Sequence, residues 1–135
     1  DLVATCRELA RESGGSVTLT SSVEEACTGA DVVYTDIWVS MGEPAELWEE
    51  RIKLLSPYQV NSRVIDLMAP TGIFMHCLPA FHDTETTIGA EIAERFGITE
   101  MEVTDEVFRG SRSRVFDEAE NRMHSIKAII YATLK

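Results

Sequence analysis

Val32-Val33-Tyr34-Thr35-Asp36-Ile37-Trp38-Val39-Ser40-Met41-Gly42 decides how the rest of the chain is read. It opens on an unbroken apolar run, without the polar alternation of a half-solvated strand, as a parallel strand covered on both faces should. It then passes directly into a polar loop. Upstream, Leu2, Cys6, Leu9 and Ala10 keep helical spacing up to Gly14-Gly15, which predicts a helix over residues 1 to 13. Ser16 to Thr20 alternates and is rich in β-branched residues, predicting a strand; Ser22 and Glu25 then have capping-box spacing for a short helix ending near Gly29. Downstream, Pro44 suits a first helical position, with Trp48, Ile52 and Leu55 following on one face; Ser56-Pro57 restarts a helix bearing Val60, Val64 and Met68. Ile73-Phe74-Met75 reads as a second buried strand, and Ile88, Ile92 and Phe96 as a helix stripe ending at Gly97. Met101 to Val103 suggests a short strand, and a helix from about Asp117 to Leu134 carries Met123, Ile126, Ile130 and Leu134 on one face. Strands alternating with helices predict an α/β fold: a doubly wound parallel sheet of the Rossmann type, with right-handed crossovers.

The 135 residues, 44% of them hydrophobic, suit one compact domain. A formal charge of -11, from 12 basic and 23 acidic residues, argues against nucleic acid or an anionic membrane as partner, since both demand concentrated Lys and Arg. Any anionic ligand must be held by local donors. Cys6, Cys27 and Cys77 are odd in number and lack metal-ligand spacing, so neither a disulfide framework nor a zinc site is expected, and a reducing, cytoplasmic setting fits. The sequence contains no apolar run of about 18 residues and no secretory leader. It opens on Asp1, already in an amphipathic pattern, which suggests a truncated or processed start.

In an open parallel sheet, ligands bind beyond the carboxyl ends of the strands. Here those ends lead into Asp36 to Gly42, His76-Cys77-Leu78-Pro79 and Thr104-Asp105. Asp36 suits either a turn cap or a carboxylate presented to a cation in a partly dry cleft. Ser40-Met41-Gly42 reads as a surface loop or a mobile lid. Neighbours at a strand end point to opposite sides, so His76-Cys77 is a poor nucleophile-base pair, and Cys77 reads as a small buried thiol. His82-Asp83 suits a ligand pair less well than a cap, by Asp83, for the following helix. Arg109, Arg112 and Arg114 concentrate positive charge that suits a solvated loop, or else a contact with phosphate or with the neighbouring chain. Arg122, among acids on the last helix, has Glu118 one turn away as an ion-pair partner.

Taken together, Tyr34-Thr35-Asp36-Ile37-Trp38-Val39-Ser40-Met41-Gly42-Glu43, His76-Cys77-Leu78-Pro79-Ala80-Phe81-His82-Asp83 and Phe116-Asp117-Glu118-Ala119-Glu120-Asn121-Arg122-Met123-His124 resemble ornithine carbamoyltransferases in order and spacing. The resemblance covers essentially the whole chain, and its Asp-x-x-x-Ser-Met-Gly element separates ornithine enzymes from those acting on aspartate or putrescine. It implies that Asp36, Ser40 and the Met41 backbone hold the α-amino and carboxylate end of ornithine, the Ser-Met-Gly loop closing as a lid. Cys77 and Leu78 would lie near the δ-amino group and the carbamoyl moiety, Cys77 acting through polarity and proton handling, and Arg122 would bind the carbamoyl group. Carbamoyl phosphate and L-ornithine are the implied substrates, citrulline and phosphate the products, with no metal or organic cofactor and with a homo-oligomer, a trimer or its multiples, as the full enzyme.

The same resemblance marks what these residues lack. The Ser-x-Arg-Thr and His-Pro-x-Gln motifs of the carbamoyl phosphate domain, and the asparagine that opens the second domain, occur nowhere in the sequence. Residues 1–116 are therefore expected to form an ornithine-binding domain truncated at its start, and residues 117–135 a helix that packs on the missing domain. A non-catalytic amino-acid-binding or interaction module is the alternative function. A nucleotide-binding oxidoreductase is disfavoured because the glycine-rich dinucleotide fingerprint is absent.

Overall fold

A computed structural model describes residues 1–134 except Met41 and Ala45. Helix α1 (Leu2–Ser13) starts where the Asp1 side chain accepts the Val3 N–H and stops at Gly14, whose φ of 78° is the left-handed turn its glycine allows. Ser22 caps α2 (Val23–Cys27) through the Glu25 N–H, as the spacing predicts. The extended segment 16–20, by contrast, forms no strand. Its alternation suits a pleated ladder, but a ladder needs a neighbour to receive its N–H and C=O groups, and none lies beside it among the described residues.

Strands β1 (Val32–Thr35) and β2 (Ile73–His76) pair in parallel, Val32 opposite Ile73 and Thr35 opposite His76. On the far edge of β2, the Phe74 N–H reaches Arg112 O and the Arg114 N–H reaches Phe74 O, so residues 112–114 run beside it. That makes β2 the centre of the sheet and leaves Phe74 fully buried. The expected strand at 101–103 contracts to one parallel bridge, Val103 against Val60. The same bridge corrects the helix expected from Ser56 to Met68. After α3 (Leu47–Leu55) and a 3-10 turn (Ser56–Tyr58), Val60 gives its N–H to Glu102 O, and α4 (Ser62–Leu67) starts afresh under an Asn61 cap. Val60 thus belongs to the sheet side of the core and not to a helix face.

Thr86 caps α5 (Thr87–Phe96), correcting the expectation for Asp83, which instead takes the Glu85 N–H in the preceding turn. Helix α6 (Asp105–Phe108) and the long α7 (Val115–Thr133) complete the chain. Two apolar clusters result. One, around Phe74, Val60, Val103 and Val115, lies under the sheet. The other joins Trp38 and Val39, just after β1, to Phe81, just after β2, and to Ile92 of α5. Each such side chain contributes about 1.5–3 kcal/mol by burial, so the loops that leave the two strands are anchored a few residues beyond their polar groups. Met123, Ile126 and Ile130 on α7 stay about half exposed, and Leu134, which follows it, is 82% exposed. No helix among the described residues is long and apolar enough to cross a membrane.

Candidate active site

Parallel pairing brings the ends of β1 and β2 side by side, and with them Asp36 and Cys77. The Cys77 thiol donates to Asp36 Oδ1 at 3.0 Å, and the Ile37 N–H reaches the same oxygen at 2.7 Å. Cys77 is exposed at this strand end, correcting the buried thiol expected from its size. The thiol bond, then the Ile37 N–H, hold the Asp36 carboxyl below the usual carboxylate range. Its other oxygen, Oδ2, takes no hydrogen bond among the described residues. An ionised carboxylate with one free oxygen at a strand end is well suited to receive an ammonium group.

The thiol shifts the opposite way. Lost hydration first, then the bond to and charge of Asp36, raise Cys77 to about 11. Below that value it is a neutral donor, unlike the depressed thiolate that serves as a nucleophile. Cys77 is expected to react with iodoacetamide at about pH 8 some hundredfold more slowly than an ordinary thiol, and Asp36→Asn is expected to speed it up. Peptide mapping by mass spectrometry reads both rates; alkylation of Cys77 at an ordinary rate would contradict this arrangement.

Helix α7 forms the facing wall. Its Glu118 accepts the Tyr34 hydroxyl at 2.7 Å, tying the first turns of α7 to β1 and raising Tyr34 to about 12. Glu118 is thus engaged across the cleft, correcting the expected pairing with Arg122. Among the described residues Arg122 makes no ion pair, and it lines a cleft of about 500 Å³ together with Cys77, His76, Tyr34, Glu118 and Asn121. A free guanidinium sharing a cleft with a neutral thiol, itself bonded to an ionised carboxylate, can polarise a carbonyl oxygen while an amine is held nearby.

Leu78 follows Cys77 with φ 46° and a cis peptide bond to Pro79, and its N–H is bound by His76 Nδ1 at 3.0 Å. Ser40 stands apart from this cleft: its N–H is held by the Glu43 carboxylate at 2.7 Å, with Arg51 on the other Glu43 oxygen. Met41 lies outside the described residues. Cys77 therefore links the set: it shares the cleft with Arg122 and is bonded to Asp36, while Leu78 follows it in the chain and packs against the core under the sheet, and Ser40 belongs to the adjoining loop.

The arginines of the 109–114 loop have structural partners. Arg109 pairs with Asp105 and Asp83, Arg112 donates to the carbonyls of Ile65 and Ala69, and Arg114 to those of Ser111 and Ser113. His82, Asp83 and Asp105 offer ligand atoms within 4.8 Å of one another, but Arg109 already supplies the positive charge there, and its guanidinium lowers Asp105 below the usual range. Two groups that matter were missed in the sequence: the Tyr34–Glu118 tie and the buried Glu102 beside His76. The signal for the second was an acid embedded between Met101 and Val103, at a position a strand would bury.

The sequence pattern of the family described as aspartate/ornithine carbamoyltransferase, Asp/Orn binding domain, matches residues 1–133. The chain belongs to this family. The catabolic ornithine carbamoyltransferase of Treponema denticola is 62% identical over 134 residues, 99% of this chain and 40% of the relative. An ornithine carbamoyltransferase of Staphylococcus aureus is 54% identical over 135 residues, again 99% of this chain and 40% of the relative. Among solved structures, ornithine carbamoyltransferase from Pyrococcus furiosus superposes with a TM-score of 0.75 at 40% identity, covering 96% of this chain and 36% of that one. The chain thus spans about 40% of the length of the curated carbamoyltransferases it matches.

Proposed function

We propose that this domain binds L-ornithine within an ornithine carbamoyltransferase that transfers the carbamoyl group of carbamoyl phosphate to the δ-amine, yielding citrulline and inorganic phosphate. The observation that carries the proposal is the meeting of ionised Asp36 and neutral Cys77 at adjacent strand ends, opposite the unpaired Arg122. Identity of 62% to a protein named as such an enzyme speaks against a non-catalytic module. In this reading, the free oxygen of Asp36 takes the α-ammonium of ornithine, and Ser40 and Met41 take its carboxylate. Cys77 and Leu78 border the δ-amine and the carbamoyl group, and Arg122 draws charge onto the carbamoyl oxygen.

The neutral δ-amine attacks the carbonyl carbon. A C–N bond forms, the bond from that carbon to the phosphate oxygen breaks with its electron pair leaving on phosphate, and the proton that the amine nitrogen sheds passes to the departing phosphate or to water. Acceleration comes from positioning and from charge placed where the oxygen becomes negative. The proposal includes a homotrimeric full enzyme in the cytoplasm, in keeping with three free cysteines. It also has the half-exposed apolar face of α7, within residues 117–135, packing on the carbamoyl phosphate domain.

The test is citrulline formation by the full-length protein with both substrates. A protonated amine has no lone pair and an alkylammonium titrates near ~10.4, so kcat/KM for ornithine is expected to rise about tenfold per pH unit between roughly pH 6 and 8. Cys77, neutral up to about 11, does not set that slope. Absence of citrulline, or a profile flat in pH, would count against the reading.

A further inference from the structure

Beneath the cleft, β2 ends on a histidine whose two ring nitrogens are both engaged. His76 is 1% exposed; its Nδ1 receives the Leu78 N–H at 3.0 Å, and its Nε2 faces Glu102 Oε1 at 3.2 Å. A nitrogen that accepts an N–H carries no hydrogen of its own, so the ring hydrogen stands on Nε2 and points at Glu102. Glu102 is fully buried, and the same Oε1 takes the Phe81 N–H at 2.7 Å. One buried pair therefore grips the 77–81 segment at two points, Leu78 and Phe81. Between them the chain does something unusual. Leu78 sits at φ 46°, the left-handed region that branched side chains seldom occupy, and such a conformation persists where its surroundings over-determine it. The second oxygen of Glu102 has no partner, so a buried polar atom is left unsatisfied directly under the site. The sequence around Glu102 offers no bulk reason for a carboxylate between Met101 and Val103; the loop it holds does.

We infer that His76 and Glu102 are positioning residues for carbamoyl transfer, a buried pair whose Nε2–H tautomer sets the Leu78 peptide and thereby aims Cys77 and Leu78 at the group held by Arg122. The inference rests on the carbamoyltransferase reading. Neither residue is asked to touch the reacting atoms.

Two variants of the full-length enzyme separate positioning from plain stabilisation. In His76→Asn the amide oxygen stands close to where Nδ1 was, so Leu78 keeps an acceptor while Glu102 loses its neighbour. In His76→Gln the longer amide reaches Glu102 and the Leu78 N–H is left without one. Measured below the melting temperature of each, His76→Gln is expected to lose about a hundredfold in kcat with KM for ornithine within about threefold, and His76→Asn less than about tenfold. Retention of kcat within about threefold by His76→Gln overturns the proposal, as does a loss in the two variants that simply follows their melting temperatures. Should neither fold, ¹⁵N spectra of histidine-labelled unmodified enzyme decide: a single buried ring with hydrogen on Nε2 is expected, and hydrogen on Nδ1 overturns it. Failure of the unmodified enzyme to make citrulline would instead remove the activity reading, and with it the reaction this pair serves, even with the Nε2–H tautomer observed.

Discussion

Asp36→Asn in the full-length protein is expected to weaken ornithine binding by about 30- to 1000-fold, the equivalent of about 2–4 kcal/mol for a charge pair that a ligand and a closing loop remove from water. The substitution is close to isosteric. An amide oxygen still accepts the Ile37 N–H at 2.7 Å and the Cys77 thiol at 3.0 Å, so the local fold survives and the charge alone is lost. In the open domain Asp36 is exposed, and an exposed ion pair is worth only about 0–1 kcal/mol. The size of the loss therefore reports whether the Ser40 to Gly42 loop covers the site. Isothermal calorimetry with ornithine gives the dissociation constant directly; a change under about fivefold would mean that Asp36 is not the partner of the ammonium in a closed cleft.

Residues 1–135 on their own are expected to form no citrulline above the uncatalysed background. Carbamoyl phosphate brings a dianionic phosphate, and among the described residues the cleft opposes to it one unpaired cation, Arg122, beside the Glu118 carboxylate and with Asp36 bonded to Cys77 nearby. Loss of a single well-placed donor to developing charge costs about 10²–10³ in rate, and here the Ser-x-Arg-Thr and His-Pro-x-Gln donors are all lacking from the sequence. A colorimetric citrulline assay of the purified domain, alone and then mixed with a carbamoyl phosphate domain, measures this. Turnover by the domain alone within about a hundredfold of the full-length enzyme would show that the cleft is sufficient by itself.

Much of the site was legible because strand ends are legible. The unbroken apolar runs at Val32 to Tyr34 and Ile73 to Met75 announce parallel strands, and parallel strands in one sheet put their carboxyl ends on one side, which places Asp36 near Cys77 before any coordinates exist. The errors fall where a local pattern competes with a distant partner. Ser16 to Thr20 has strand composition but no neighbour to pair with among the described residues, and Val60 has helical spacing to Val64 but gives its N–H to Glu102 and accepts the Thr104 N–H. Glu118 lies one turn from Arg122, yet a phenol 84 residues away in sequence holds it at 2.7 Å.

By itself, then, the sequence determined the two paired strands, the caps at Gly14, Ser22 and Gly97 and the identity of the polar groups at each strand end. These follow from spacing and side-chain type within a few residues, and Ser22 with Glu25 or Gly14 after Ser13 behave as their local chemistry requires. Only the tertiary structure decided which groups are charged, paired or free. Cys77 and Ile37 hold the Asp36 carboxyl further below the usual carboxylate range, lost hydration and then Asp36 raise the Cys77 thiol to about 11, and the His76 tautomer is chosen by Leu78 and Glu102. Protonation and pairing depend on atoms about 3 Å apart in space, and that proximity is set by how distant segments pack.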